Sequence, residues 1–473
     1  MLAKARGMIQ ICPVPKQSAN EASLGVAVQT RRQFLAQTGA AVGGVGLGLG
    51  LAPHVFAQSS GANDRVVLGL IGCGGMGRAD QQQLMRLKGV EVAAVCDVDA
   101  SHLDNAAADV VNTGRPAPKK IKDFRQLLEQ KDIDAVIIGT PDHWHAIPFI
   151  AACEAGKDIY CEKPISHSFV EAKAMLSAAR HFQRVVQVGT WQRSIKHFQD
   201  AIEFVRSGKM GQINVCRAWM LYGLRDIGRQ QPQNPPPELD WDFWLGPAPK
   251  RPYQPNRCHA NWRWFFETGG SLMTDWGVHM IDVVLLAMQQ TDPVSIMAAG
   301  GKLTCNDDRD TPDTLLAVYQ FPKWVLNWEH RFNNVRGLDG GSEHGAEFIG
   351  DKGSLIVDRN GYQYFPETPD VEKPPKLEKS ESTHWQNFLD CVKSRKQPAS
   401  DIGSMAKTTM LCLLGNIALQ SGQTLRWDAQ KQDVANHGDV KHCISYEREY
   451  RKPWKLKLFK GCSKESKPQP TVL

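Results

Sequence analysis

The sequence predicts an α/β fold in which a doubly wound parallel sheet comes first and an α+β domain follows. In the first part, short apolar runs alternate with segments of helical pattern, as a parallel sheet covered by helices on both faces requires. A glycine-rich turn joins the first strand to the first helix, which is a common start for such a sheet. In the second part, several strand-like runs precede two helical segments: residues 294–303, 314–321, 324–332 and 347–358, then 384–394 and 405–421.

The glycine-rich turn is the most specific of these signals. The strand at residues 66–71 runs into Gly72-Cys73-Gly74-Gly75-Met76-Gly77, where a helix begins. In a dinucleotide-binding turn, the first glycine permits the tight bend and the second lets backbone amides approach a pyrophosphate. The third allows helix and strand to pack closely. The predicted dinucleotide contacts in this turn are therefore Gly72, Gly74, Met76 and Gly77.

A carboxylate after the second strand indicates which dinucleotide binds. Asp97 stands twenty residues after Gly77, at the end of the strand at residues 92–96. There its carboxylate can accept a hydrogen bond from a ribose 2′-hydroxyl and would repel a 2′-phosphate. NAD is therefore favoured over NADP as the cofactor, although a nearby Arg or Lys would override this preference.

The remaining strands of the first sheet are expected to deliver polar residues to one crevice. Helices at residues 146–155 and 170–182 separate these strands. Ligands of open α/β sheets bind beyond the carboxyl ends of the strands, so the residues that follow each strand should converge. Three strands, at residues 134–139, 158–161 and 184–189, end in Thr140-Pro141, Glu162-Lys163-Pro164 and Thr190-Trp191-Gln192-Arg193 respectively.

The segment ahead of the first strand has the pattern of an export signal. Arg31-Arg32 precedes a Gly/Ala/Leu-rich stretch at residues 39–52, and fairly small residues at positions 55 and 57 fit a cleavage site. This pattern predicts a twin-arginine signal peptide over residues 1–57, a Tat export partner and a periplasmic or exported protein. The stretch is shorter than the ~20 residues that cross a bilayer, so no stable membrane span is expected.

Charge and cysteine content argue against several classes of protein. The formal net charge of +6 falls to +2 without residues 1–57, so electrostatics give no case for a nucleic-acid partner. The twelve cysteines include no Cys-x-x-Cys pair, so no zinc ribbon is expected and the thiols are predicted to be mostly free. The basic residues near the end predict a solvated tail over residues 441–473, with a membrane-surface contact as the alternative.

The ordered set of motifs resembles the Gfo/Idh/MocA oxidoreductases, named for glucose–fructose oxidoreductase and inositol dehydrogenase. The motifs are the glycine loop, Asp97, Thr140-Pro141 with His145, Glu162-Lys163-Pro164 and Asp275-x-Gly277-x-His279-x-x-Asp282. The resemblance implies a Rossmann domain over residues 64–190 and an α/β substrate and oligomerisation domain over residues 191–440. It further implies a large, mainly antiparallel second sheet and a homo-oligomer. The residues expected near the cofactor are Thr140, Pro141, His145, Glu162, Lys163 and Gln192.

Three residues of these motifs are the candidate catalytic groups. Asp275 and His279 are four apart on a predicted helix, so both should project from one face. Oxidation of an alcohol by NAD⁺ leaves a hydroxyl proton to be removed, and an imidazole is well suited to accept it. Lys163 would stabilise the developing alkoxide, while Asp275 would bind a second hydroxyl or set the imidazole tautomer. The alternative is that Asp275 and His279 only cap the helix or pair within it.

Other polar and aromatic residues have two interpretations each. Trp191 and Arg193 are predicted to bind substrate, Trp191 as a flat partner for a sugar face. The alternative for Arg193 is an ion pair with a carboxylate at the domain interface. His143 and His145 stand two apart with no third ligand nearby in sequence, so no metal is predicted. The proline-rich segment at residues 225–261 is expected to be an irregular lid or partner-binding arm.

These features predict an exported NAD(P)-dependent oxidoreductase acting on a CH–OH group of a sugar, polyol or sugar derivative. Because no free NAD pool exists outside the cytoplasm, the cofactor is expected to stay bound. A second hypothesis is an NAD-dependent glycoside hydrolase or lyase that oxidises its sugar only transiently. A third is a carbohydrate-binding or assembly protein without catalytic activity.

Overall fold

The structure is a computed structural model and describes residues 65–223, 226–337, 341–368 and 382–459. The twin-arginine segment predicted at residues 1–57 lies outside these ranges. Within them, six strands form a first sheet and nine strands form a second.

The first sheet is parallel throughout, with strand order β3-β2-β1-β4-β5-β6. This is the order of a dinucleotide-binding doubly wound sheet, so the predicted fold is confirmed. The strands are β1 (Val66–Ile71), β2 (Val90–Cys96), β3 (Lys119–Ile121), β4 (Ala135–Ile138), β5 (Asp158–Cys161) and β6 (Val186–Val188). The helices around them are α1 (Gly75–Met85), α2 (Ala100–Val111), α3 (Phe124–Leu128), α4 (Ala146–Glu154) and α5 (Phe169–His181).

The central strands of this sheet are apolar on both faces. β1, β4 and β5 are buried at every position, as strands between two helical layers must be. Polar caps fix where two of the covering helices begin. Asp99 accepts hydrogen bonds from the amides of Ser101 and His102 at the start of α2, and Ser168 forms a capping box with Glu171 at the start of α5.

The second sheet has strand order β13-β12-β11-β7-β10-β9-β8-β14-β15. β7 and β10 are parallel, and the other neighbouring pairs are antiparallel, which confirms the mainly antiparallel sheet. Its strands are β7 (Ile213–Tyr222), β8 (Ser295–Gly301), β9 (Thr314–Gln320), β10 (Val325–Phe332), β11 (His344–Gly350), β12 (Gly353–Asp358), β13 (Gly361–Pro366), β14 (Leu425–Asp428) and β15 (Asp433–Val434). The helices of this part are α6 (Lys196–Arg206), α7 (Trp241–Leu245), α8 (Ser271–Asp275), α9 (Gly277–Met288), α10 (His384–Ser394) and α11 (Ile402–Ser421).

The last two helices tie the two sheets together. Phe388 and Leu389 of α10 belong to the same apolar core as Leu68 and Tyr160 of the first sheet. α11 packs against α5 and β8. Among the described helices it alone is long and apolar enough to cross a membrane, yet 78% of its apolar window is buried inside the fold, as in a core helix. The predicted boundary near residue 190 therefore divides the two sheets along the chain. The helices α10 and α11 lie after this boundary and still pack against the first domain.

The proline-rich segment forms an arm, residues 226–264, that is irregular apart from α7 and two short 3₁₀ helices. A small apolar cluster within it includes Leu239, Trp241, Trp244 and Tyr253. The arm is attached to the first domain, since Leu239 forms a β-bridge with Asp99. The sequence predicts the irregular backbone and leaves open what the arm covers.

Residues 441–459, here called the C-terminal strap, do not form the solvated tail that their charge predicts. The Arg448 side chain is 3% exposed, and its Nε lies 2.7 Å from Glu171 Oε1. The Trp454 ring packs edge-on against Trp144 with centroids 4.9 Å apart. Because a buried guanidinium and a partly buried indole anchor it, the strap is part of the fold.

The cysteines follow the prediction wherever the structure describes them. Ten cysteines lie in the described ranges, and all ten are buried and free. Burial raises the pKa of the Cys73 and Cys161 thiols, which therefore pack as neutral apolar groups.

Candidate active site

The glycine loop makes the tight turn that the sequence predicts. Gly72 has a φ of +90°, and a Cβ there would lie 2.5 Å from the Thr140 backbone nitrogen. A Cβ on Gly77 would collide with the Gly72 carbonyl oxygen. Gly74 faces open space, because no atom lies within 4 Å of where its Cβ would be. The fold therefore excludes side chains at Gly72 and Gly77, while Gly74 leaves room for a ligand to approach the backbone.

The start of α1 is suited to an anion. Its N-cap residue, Gly74, offers no side-chain hydrogen bond, so the cap leaves the first amides of the helix without a partner. Gly74 and Met76 line a cavity of about 490 Å³ together with Thr140 and Pro141. Free amides and the positive end of the helix dipole both favour a pyrophosphate at this position.

Asp97 is fixed in the same cavity at the end of β2. Its Oδ2 accepts a hydrogen bond from the Cys73 amide at 2.6 Å, and its Oδ1 accepts one from the Asp99 amide at 2.9 Å. Burial raises the pKa of the carboxyl, against the lowering effect of these amides and His102. Each oxygen keeps a lone pair for a ribose hydroxyl. The glycine loop, the helix start and Asp97 thus fit a dinucleotide, and Asp97 suits NAD.

Lys163 enters the cavity from the end of β5 and is paired there. Its Nζ lies 2.6 Å from Asp275 Oδ1 and 2.9 Å from the Asp275 carbonyl oxygen. Arg263 Nε is 3.4 Å from the same Oδ1. Burial raises the pKa of Asp275, but Lys163 and Arg263 outweigh this effect and hold the pKa well below its ordinary range. Asp275 therefore stays ionised between two cations.

His279 lies close to this ion pair with a neutral imidazole. Burial, followed by the charges of Lys163 and Arg359, holds its pKa well below the ordinary value of 6.5. Its Nδ1 is buried and has no hydrogen-bond partner among the described residues. A neutral imidazole can accept a hydroxyl proton, which is the role predicted for it.

Asp275 and His279 do not share one helix, which corrects the prediction from their spacing. α8 ends at Asp275, and Trp276 separates it from α9, which begins at Gly277. Within the described ranges, no hydrogen bond joins Asp275 to His279, so Asp275 does not set the imidazole tautomer. Its carboxylate instead holds Lys163 and Arg263.

His145 braces two loops and is not among the residues that line the cofactor cavity, and its contact with the cofactor stays a prediction. Its ring nitrogens lie 2.6 Å from the Pro164 carbonyl oxygen and 2.8 Å from the Thr140 carbonyl oxygen. Burial lowers its pKa, so the ring is neutral and donates to one carbonyl at a time. His145 thereby positions the loops that carry Thr140 and Lys163.

The other predicted cofactor residues are buried with unused polar atoms. Glu162 lines the cavity, and its Oε1 has no hydrogen-bond partner among the described residues. Burial raises the pKa of this carboxyl. Thr140 Oγ1 and both side-chain polar atoms of Gln192 are likewise unpaired in the described part of the chain. The Glu162 carboxyl also interacts with the buried Asp80 carboxyl, whereas the Thr140 and Gln192 side chains are free to bind a ligand. Contact of all three with the cofactor stays a prediction.

Arg193 does not face substrate, so that prediction is wrong. Its guanidinium forms a buried bidentate pair with Asp282, with Nε–Oδ2 and Nη2–Oδ1 distances of 2.7 and 2.6 Å. It also donates to Ser404 Oγ at 2.7 Å. The alternative interpretation, an ion pair with an interface carboxylate, is confirmed.

Aromatic rings flank His279 on two sides. The Trp191 ring centroid lies 6.3 Å from that of His279, and the Trp276 centroid lies 6.0 Å from it. Trp191 is therefore beside the crevice, as predicted, and its contact with a sugar stays a prediction. Trp241 and Trp264 pack within apolar clusters, whereas Trp244 and Trp262 line the cofactor cavity.

The arm forms part of the wall of the cofactor cavity, so the structure shows what the arm covers. The arm residues that line the cavity include Phe243, Trp244, Trp262 and Arg263. At the rim, His259 Nε2 lies 3.5 Å from Asp99 Oδ2, and the His259 and His102 rings are 4.6 Å apart. These three side chains could hold a metal ion, but the capping of α2 already accounts for the position of Asp99. None of these residues stands in a motif, so only the fold brings them to the site.

Family comparison agrees with this geometry. Residues 66–190 match the oxidoreductase family NAD-binding Rossmann fold of the Gfo/Idh/MocA proteins. Residues 216–456 match the C-terminal alpha/beta domain of the same oxidoreductase family. The chain belongs to the Gfo/Idh/MocA family. This Gfo/Idh/MocA protein is thus an oxidoreductase with an NAD-binding domain, and the cavity at the glycine loop is its dinucleotide site.

Two relatives span different shares of this Gfo/Idh/MocA chain. The uncharacterized oxidoreductase YrbE of Bacillus subtilis is 26% identical over 380 residues, 78% of this chain and 95% of that protein. A glycosyl hydrolase family 109 protein of Shewanella sp. (strain MR-4) is 30% identical over 217 residues, 41% of this chain and 46% of that protein. The second match therefore spans less than half of that relative.

Solved structures share the fold at low sequence identity. The WlbA dehydrogenase of Chromobacterium violaceum, in complex with NADH and UDP-GlcNAcA, has a TM-score of 0.60 at 17% identity, covering 77% of this chain and 97% of that one. A levoglucosan dehydrogenase in complex with NADH and levoglucosan has a TM-score of 0.59 at 18% identity, covering 76% and 99%. At these identities the likeness establishes the fold.

Proposed function

We propose that this protein is an exported NAD-dependent oxidoreductase that acts on a CH–OH group of a sugar, polyol or sugar derivative. The observation that carries the proposal is Lys163, which lines the dinucleotide cavity, is paired with Asp275 and acts through its charge on a neutral His279. Family membership supports the redox class, and the sugar ligands named for the two structural neighbours support the substrate class.

The side chains divide the chemistry between them. NAD⁺, when bound, supplies the hydride acceptor. His279 takes the proton of the substrate hydroxyl, because its imidazole is neutral and has a free ring nitrogen. The Lys163 ammonium stabilises negative charge on the substrate oxygen. Asp275 holds Lys163 in place through its 2.6 Å contact.

Export and cofactor retention belong to the same proposal. Arg31-Arg32 and the apolar stretch after it support transport through the Tat machinery, which carries folded proteins with their cofactor in place. The arm over the cavity supports slow release of the dinucleotide. A retained cofactor requires each oxidation to be followed by reduction of a second carbohydrate or by reversal on the same one.

We also propose a homo-oligomer formed through the second sheet. Met297 on β8 and Leu316 on β9 are 48% and 45% exposed. The register of the two strands places them on one face of the sheet. An exposed apolar patch on a sheet favours association with a second copy.

A second candidate function is glycoside cleavage through transient oxidation of the sugar. The observation that favours it is the 30% identity to a glycosyl hydrolase family 109 protein over 217 residues. The same His279 and Lys163 would serve both reactions, because both begin with removal of hydride and a hydroxyl proton.

One experiment separates these functions. Purified protein is incubated with free sugars and with aryl glycosides, with no NAD added, and the products are separated by chromatography. We expect an oxidised sugar together with an equal amount of a reduced one, whereas released aglycone with no net oxidation would establish the hydrolase. The protein variant His279→Ala should yield neither product, and the exposed-site variant His437→Ala should react normally. Protein that carries no dinucleotide and yields neither product would favour the non-catalytic alternative.

A further inference from the structure

A second arginine lies in the crevice and plays no part in the chemistry above. Arg359 lies in the turn between β12 and β13, far in sequence from every motif of the family resemblance. Its guanidinium and the His279 ring contact the same two indole rings, and its charge lowers the pKa of that imidazole. The proposed chemistry assigns this guanidinium no binding partner.

Two indole rings hold the Arg359 guanidinium in position. Its Cζ lies 4.4 Å from the Trp191 ring centroid and 4.3 Å from the Trp276 ring centroid. These are the same two rings that flank His279. Such cation–π contacts fix the guanidinium beside the imidazole without using its N–H groups as hydrogen-bond donors to a polar side chain.

The turn that carries Arg359 is also well fixed. Asp358 Oδ1 accepts hydrogen bonds from the amides of Asn360 and Gly361 at 2.7 and 3.2 Å. The Asp358 carbonyl oxygen lies 2.9 Å from His197 Nε2. Arg359 is therefore positioned by its neighbours before any ligand arrives.

Arg359 has no carboxylate partner within the described ranges, unlike the other cations of the site. Lys163 and Arg263 share Asp275, and Arg193 is paired with Asp282. Arg359 Nε is buried and makes no hydrogen bond to a described residue. Burial lowers its pKa to about 10, which leaves it charged at neutral pH. Lys163 and Arg263 already share one carboxylate, and Arg359 adds a further positive charge that has no carboxylate of its own.

A neighbouring histidine is unpartnered as well. His344 is buried, its ring lies 4.9 Å from that of Trp276, and neither ring nitrogen has a hydrogen-bond partner among the described residues. Buried polar atoms are nearly always bonded in a functional state, so Arg359 and His344 together indicate a missing polar ligand.

We propose that the substrate carries a carboxylate, as in a sugar acid, and that Arg359 binds it. This inference rests on the proposed function and narrows its substrate class. A single guanidinium fork matches a planar carboxylate in size, charge and bidentate geometry. A phosphate dianion would call for more than this one unpaired cation.

The test compares matched acid and neutral ligands on full-length protein with its cofactor. Calorimetry and cofactor reduction are measured for glucuronate, galacturonate and gluconate against glucose, galactose and sorbitol, with glucose 6-phosphate as the phosphate probe. We expect the wild type to prefer an acid, and Arg359→Gln to weaken acid binding roughly 10- to 100-fold relative to the neutral partner. Arg359→Lys should recover part of the loss, since it keeps the charge without the fork. The exposed-site variant Arg86→Gln should keep the wild-type preference.

Several outcomes would overturn the inference. They are an equal loss for acid and neutral ligands in Arg359→Gln, a preference for glucose 6-phosphate, or no binding of any acid by the wild type. Binding of an acid that depends on Arg359 but gives no cofactor reduction would support the inference and contradict the proposed oxidoreductase activity. Turnover of neutral sugars with no preference for acids would contradict the inference alone. Dinucleotide content, measured by mass spectrometry, verifies that each variant is folded.

Discussion

His145 and His279 are both buried, and burial lowers the pKa of both, yet they do different things. Both ring nitrogens of His145 face backbone carbonyl groups, so it positions loops. His279 Nδ1 has no partner among the described residues, and the cations Lys163 and Arg359 lie nearby. The surroundings of each ring therefore decide its function: a neutral imidazole with both nitrogens bonded holds loops in place, and one with a free nitrogen can act as a base.

The state of His279 sets the pH dependence of the reaction. A base acts when unprotonated, and a pKa below the ordinary 6.5 keeps His279 unprotonated down to lower pH. We therefore expect kcat/KM to stay level as pH falls from about 8 to about 6 and to decline only at lower pH. His279→Ala should lower kcat by about 100- to 10,000-fold. A pH–rate profile measures both effects. A decline centred near pH 6.5, or undiminished turnover in the variant, would contradict the assignment.

Some site residues were within reach of sequence analysis and others were not. Lys163 and His279 stand in motifs with fixed offsets from predicted strands and helices, so the sequence points to them. The role of Arg193 depends on Asp282, which lies 89 residues away and meets it only through folding. Arg359 stands in a turn outside every predicted motif, and only the fold brings it beside His279.

The elements around the site are joined by buried charges more than the sequence suggests. Arg193 follows β6 in the chain and binds Asp282 of α9. This ion pair links the first sheet to the second domain. Arg448 of the C-terminal strap binds Glu171, at the capped start of α5. Both pairs are nearly free of solvent exposure, so removing one partner leaves a buried charge uncompensated.

The pair between Arg193 and Asp282 should be essential for stability. We expect Asp282→Ala to lower the free energy of unfolding by about 3–5 kcal/mol, because Arg193 is left buried without its partner. Urea denaturation measures this loss. The matched control is Asp104→Ala, which removes an ion pair with Lys120 whose side chains are 65% and 52% exposed. That variant should lose at most about 1 kcal/mol. Equal losses in the two variants would contradict a structural role for the buried pair.

The strap should slow the release of the dinucleotide. Trp454 packs against Trp144 and Phe243, two aromatic residues that line the cofactor cavity. Removing the indole in Trp454→Ala leaves those rings without support, so we expect NADH to dissociate about 10-fold faster or more. Stopped-flow fluorescence gives the rate constant. Leu458→Ala is the control, since Leu458 is 70% exposed in the same strap. An unchanged rate in Trp454→Ala would show that the strap has no part in retention.

The sequence predicts regular elements well and irregular ones poorly. The runs at residues 314–321 and 324–332 correspond to β9 and β10, because alternating burial gives them a clear pattern. The sequence does not predict β7, because burial there is continuous over Ala218, Trp219, Met220 and Leu221. Nor does it predict β15 and β3, which have only two and three residues. The sequence predicts a polar tail in place of the strap because most residues between its anchors, Arg448 and Trp454, are polar.

The complete molecule combines two sheets, an arm and a strap around one dinucleotide cavity. The arm contributes lining residues, and the strap supports it through Arg451, whose Nη1 lies 2.6 Å from Asp242 Oδ1. This enclosure supports the proposed retention of the cofactor. The exposed apolar residues of β8 and β9 lie on the second sheet and are not among the residues that line the cavity.

Native mass spectrometry of the protein purified from the periplasm measures cofactor retention without any added substrate. We expect a mature chain that begins after Ala57, one NAD per subunit and more than one subunit in the assembly. Subunits that carry no dinucleotide, or that carry NADP in its place, would contradict an enzyme built to retain NAD.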